Sequence, residues 1–143
     1  MKQKDKDLIL KDLCGRLPYG VKFECNKNVY TAKGLDLIVT DEGDWEYAVT
    51  AKGIAPIEID FIKPYLYPLS SMTKEQKLYL EWHTKYRLDD GELVVKKDDD
   101  DEYLNTNMYD YLSLIEWLNK NHFDYQGLIE RGLAIDATNL NIY

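Results

Sequence analysis

The chain has 143 residues, 45% hydrophobic and 31% charged, with a net charge of -8; this fits a single folded domain, 1–143, with one sizeable core rather than a disordered chain. No apolar run approaches the roughly 20 residues that cross a bilayer, and the start, MKQKDKDLILKDL, has acids where a secretory leader is basic and then apolar, so no membrane association and a cytoplasmic location are expected. The acidity argues against direct binding of duplex nucleic acid, which needs a basic surface.

Residues 5–16 place Ile9, Leu13 and Leu17 at a spacing of four, with Leu10 and Cys14 beside them, which predicts an amphipathic helix closed by Gly15 and Pro18. YGVKFEC then alternates Tyr19, Val21, Phe23 and Cys25 against Lys22 and Glu24, the period of a half-buried strand. Short runs follow between turn residues: NVYTA, LDLIV, WEYAVT and IEIDFI. Trp45, Tyr47 and Val49 share one face, as do Ile57, Ile59 and Phe61. Connections this short leave no room for crossover helices, and no glycine-rich phosphate loop follows a strand.

In PYLYPLSSMTKEQ, Pro64 is expected to end the last strand and Pro68 to keep the segment extended. Thr73 and Gln76 then form a capping box that starts a second helix, with Leu78, Trp82 and Tyr86 as its stripe. Residues 89–105 read as a mobile acidic surface loop with room for a short edge strand; residues 89–102 hold eight acids and two lysines, a net -6 of the total -8. Residues 107–120 form the strongest helical pattern, lined by Met108, Tyr111, Leu114 or Ile115, and Leu118, and broadened by Leu112 and Trp117. The apolar tail from His122 is expected to pack as ordered loop and short turns. The fold class is therefore α+β: an N-terminal helix, a small bent antiparallel sheet or SH3-like partial barrel of about five strands, and two further helices packed on it.

Chemistry-bearing motifs are sparse. Cys14 and Cys25 lack a CxxC spacing and nearby histidines, so they read as free thiols, and no metal or cofactor is expected. His122 and Asp124 are the nearest thing to an acid/base pair, although a histidine just past a helix end also serves to cap it. DDDDE at 98–102 lacks the alternating ligands and glycine of a calcium loop and reads as a solvated charge run. A further reading is that it occupies a basic surface on a partner, as nucleic acid does.

The blocks LKDLCGRLPYGV, IKPYLYPLSSMT and DYLSLIEWLNKNHFDYQGLIERGLAIDA resemble signature blocks of a family of small uncharacterised proteins from gut bacteria, their phages and prophages. They cover a little over a third of the chain. The resemblance implies a phage or mobile-element context and transfers no activity and no catalytic residue.

Twelve tyrosines and three tryptophans are more than a core of this size needs, and such rings suit interfaces and stacking. Tyr19, Tyr65, Tyr67 and Tyr125 lie in the three blocks, near Arg16 and Arg131, as a binding surface would. The leading expectation is a noncatalytic binding protein that occupies a host or phage protein. The alternative is sequestration of a small molecule such as a nucleotide signal, an anti-defence role; the third is a hydrolase using His122 and Asp124.

Overall fold

In the computed structural model, which describes residues 1–143, helix α1 spans Gln3–Arg16. Ile9 and Leu13 are fully buried as the stripe requires, and they share that face with Asp12 and Arg16, because positions 9, 12, 13 and 16 lie on one side of a helix. Gly15 does not close the helix. It lies inside it, where a Cβ would come within 2.7 Å of Asn119 Nδ2 on a later helix. The chain turns instead through Leu17–Tyr19, with Pro18 in a 3₁₀ turn and Gly20 in the left-handed region at φ 68°.

Strands β1 (Lys22–Cys25), β2 (Asn28–Val39), β3 (Trp45–Ala51), β4 (Ile57–Glu58) and β5 (Lys63–Pro68) follow, antiparallel in the order β4-β3-β2-β1-β5. Val21, Phe23 and Cys25 are buried, so the period of two holds. NVYTA and LDLIV are not two strands but one. The β2–β3 register shifts between Ala32 and Gly34, and such a bulge bends a strand without ending it. IEIDF breaks at Ile59, where a 3₁₀ turn carries Phe61 into solvent and Ile62 takes the buried position. Pro64 does not end a strand either. It is the second residue of β5, opposite Phe23, near the strand start where proline is tolerated.

Helix α2 (Lys74–His83) begins with the expected capping box: Gln76 N donates to Thr73 Oγ1 over 3.2 Å, and Thr73 N donates to Gln76 Oε1 over 2.8 Å. Its stripe differs from the periodic reading. Leu80 is the buried residue, Leu78 and Trp82 face solvent, and Tyr86 lies beyond the helix in β6 (Tyr86–Asp89). The 89–105 segment is not a plain loop. β6 pairs with β7 (Glu92–Val95) across Asp90 and Gly91, both at positive φ, as tight hairpin turns require. Beyond it Lys97 bridges Tyr103, while Asp98 Oδ1 accepts the amides of Asp100 and Glu102.

Helix α3 (Met108–Lys120) is capped by Asn107 and Asp110. Only its C-terminal half is buried, through Leu114, Leu118 and Asn119. The tail then supplies β8 (Phe123–Asp124) and β9 (Ile135–Asp136), both parallel to β5, so the sheet is mixed rather than antiparallel. Parallel pairing needs a long return connection, and the 54 residues between β5 and β8 with their two helices provide it. Two cores result: α1, the sheet and Leu128, Leu133 and Ala134 enclose one, while α2, α3, the β6–β7 hairpin and Phe123 enclose the other.

Candidate functional site

The three sequence blocks meet where α1, β5 and the tail converge. Arg16 is fully buried. Its Nε donates to Asp12 Oδ2 over 2.7 Å and its Nη2 to Asp12 Oδ1 over 3.0 Å. Nη2 also reaches the main-chain oxygen of Phe123 at 2.6 Å. Gln126 Nε2 donates to Asp12 Oδ1, and the Tyr125 ring lies 5.3 Å from the guanidinium. Burial pushes the Asp12 carboxyl above its ordinary value, with Arg16 and Gln126 pulling the other way. Arg16 Nη1 has no partner.

His122 follows α3 in the left-handed region, at φ 61°. It ends the helix through its main chain: its amide donates to Asn119 O and its carbonyl accepts from Tyr67 N over 2.8 Å. The imidazole stacks on Tyr143 with ring centroids 3.6 Å apart, and its Nδ1 is buried without a partner. Burial, with the positive charges of Arg16 and Lys22, lowers its pKa from 6.5 to about 4, so the ring is neutral at pH 7. Tyr143 Oη donates to Tyr65 O and accepts from Lys22 N, and burial raises its phenol to about 12.

No carboxylate orients His122. Asp124 is occupied elsewhere, accepting the amides of Leu128 at Oδ1 and Ile129 at Oδ2, which holds the turn at 127–132. A general base needs an orienting partner and an accessible proton to take, and here the Asp124 side chain serves the tail's own backbone while the His122 ring packs on Tyr143.

Of the expected residues, Arg16, Tyr65, Tyr67, His122, Asp124 and Tyr125 come together. Tyr19 sits at the flank, its hydroxyl donating to Glu116 Oε1 over 3.2 Å. Arg131 lies apart, half exposed, 3.8 Å from Asp5. Asp124 and Tyr125 also border a groove of about 510 Å3 closed by Asp90, Gly91, Glu92 and Glu130. Its four carboxylates suit an anionic ligand poorly.

Sequence reasoning passed over Asp12, Gln126, Asn119 and Tyr143. A signal for Asp12 existed: an Asp and an Arg four residues apart interleave with Ile9 and Leu13 on the apolar stripe. Gln126, Asn119 and Tyr143 are set by contacts across the chain and leave no local mark.

No protein-family model, curated protein or solved structure matches this chain. No helix is long and apolar enough to cross a membrane.

Proposed function

We propose that the chain is a noncatalytic binding protein that acts by occupying a protein partner, in the phage or mobile-element context that its three sequence blocks imply. The observation that carries this is the amount of large apolar side chain left outside both cores. Trp82 and Tyr109 are more than 80% exposed on α2 and α3, and Trp45 and Phe61 about two-thirds exposed at the sheet. Exposed apolar surface of this kind marks interaction sites, and exposed aromatics are the side chains that dominate binding energy at interfaces. The free thiols Cys14 and Cys25 fit a reducing, cytoplasmic compartment.

The rival readings draw less support. The ring of Tyr67 is engaged by Phe123 and Tyr143 and that of Tyr125 by Arg16, Tyr65 is buried, and the groove beside Tyr125 is acidic, which disfavours holding a nucleotide. The hydrolase reading lacks a bonded His122–Asp124 pair.

The test is affinity capture with the full chain beside Trp82→Ser/Tyr109→Ser and Trp45→Ser/Tyr47→Ser variants. A partner enriched by the native chain and lost with either pair is the expected result. Equal capture by all three, or none by the native chain, rejects the reading.

A further inference from the structure

The cross-strand register places Leu37 opposite Tyr47 and Val39 opposite Trp45. With Leu35 opposite Val49, these pairs form one continuous face of the β2–β3 ribbon. Val49 is fully buried, but Leu37, Val39, Trp45 and Tyr47 are each about half to two-thirds exposed. The core-facing side of the ribbon therefore runs out beyond the core. Neighbouring strands do not follow it: β1 pairs only with Asn28–Thr31 of β2, and β4 only with Ala48 and Val49 of β3. Across from Trp45 and Tyr47 stand Gln3, Lys6, Asp7 and Leu10 of α1, and between them lies a cleft of about 540 Å3.

The charge on the ribbon side of this cleft is one-sided, and the one lysine lining the cleft, Lys6 of α1, is paired. Residues 34–51, GLDLIVTDEGDWEYAVTA, contain five acids and no lysine or arginine. Lys6 is already bonded to Glu46 at 3.0 Å and Asp60 at 3.3 Å. Asp41, Glu42 and Asp44, at the ribbon tip, carry no ion pair. An apolar, ring-bearing face rimmed by uncompensated carboxylates complements a segment whose apolar side chains fill the cleft while its lysines and arginines meet the rim or lie over the Trp45 ring. A second copy docking face to face would set the unpaired Asp41, Glu42 and Asp44 against their own copies, and an anionic membrane would meet the same repulsion.

Resting on the binding role proposed above, we infer that the distal β2–β3 ribbon and its cleft with α1 dock a basic, amphipathic segment of the partner protein.

The experiment measures anisotropy of a fluorescein-labelled amphipathic peptide of leucine and lysine with the full chain, against a leucine–glutamate peptide of equal length. The lysine peptide should bind, more weakly as salt rises, and the glutamate peptide should not. Trp45→Ser/Tyr47→Ser should weaken binding by about tenfold or more, with unchanged circular dichroism because both side chains are exposed. If that pair fails to fold, Asp41→Asn/Glu42→Gln/Asp44→Asn supplies the same readout and should also weaken binding by about tenfold. Asp99→Asn/Asp100→Asn/Asp101→Asn removes equal charge from the other acidic segment and should leave affinity within about twofold.

Equal loss from both triple variants, binding of the glutamate peptide, no binding of the lysine peptide, or indifference to the Trp45/Tyr47 pair overturns the site. A dimer in sedimentation that the pair disperses, or phospholipid vesicles binding through Trp45, overturns the assigned occupant. These failures leave the capture experiment standing, so the site and the binding role fall separately.

Discussion

Acidification from pH 7 to pH 4 should destabilise the protein by about 3 kcal/mol through His122 alone. In an unfolded chain the imidazole titrates at its ordinary 6.5, and in the fold at about 4, because burial and the charges of Arg16 and Lys22 oppose protonation. That gap corresponds to about 3.4 kcal/mol, slightly less being lost at pH 4 because the folded ring is then half protonated itself. The folded state binds the proton less well than the unfolded state. The contribution is therefore intact above 6.5, falls as the pH drops towards 4, and levels off below. Nδ1 has no acceptor for the added proton. His122→Asn is the comparison of choice, since asparagine accepts the φ of 61° and does not titrate. The variant loses the Tyr143 stack and should be less stable throughout, but its stability should change by about 3 kcal/mol less than that of the native chain between pH 7 and pH 4. Urea unfolding followed by tryptophan fluorescence at several pH values measures this difference. Parallel curves for the two proteins, or an imidazole that titrates near 6.5 by NMR, would refute the reasoning.

Asp12→Ala leaves a fully buried guanidinium without its carboxylate and should cost about 3–5 kcal/mol; the Asp12→Leu/Arg16→Met double variant should recover most of that in the same denaturation assay, and a double variant as unstable as the single one contradicts it. Gly15→Ala gains about 1 kcal/mol of helix propensity but drives a Cβ against Asn119, costing about 1–3 kcal/mol, so a net loss is expected. Repeating it in an Asn119→Ala background should make the change stabilising, and an unchanged sign would dismiss the contact. Thr73→Ala removes the α2 cap and should lower stability by about 1 kcal/mol while leaving binding of the leucine–lysine peptide intact.

Elements governed by local chemistry were readable in the sequence. Thr73 and Gln76 mark the start of α2 because both halves of the capping box lie within four residues, and Val21, Phe23 and Cys25 mark β1 because a period of two needs only a few positions. The failures share a cause. Whether Leu78 or Leu80 is buried depends on where the second core lies, and that core is built with Phe123, far along the chain. Trp45 and Tyr47 have the period of Val49, yet the period cannot say how far the covering layer extends. β8 and β9 are two residues each and exist only because β5 offers them an edge. The candidate cluster was half legible for the same reason: His122 and Asp124 stood out by type, while their tasks are fixed by Tyr143, Leu128 and Ile129.

The bond from Arg16 to the carbonyl of Phe123 spans 107 positions. During synthesis the N-terminal helix emerges long before its acceptor, with Asp12 the only one of Arg16's protein partners yet made. Loop closure over such a separation comes late, so the beginning of the polypeptide waits on residues 123–143, and α1 remains an unfinished wall of the first core until then. A nascent chain stalled before residue 123 would show the ribosome's surroundings an open, sticky sheet, which makes the tail less an appendage than the closing stitch of the whole domain.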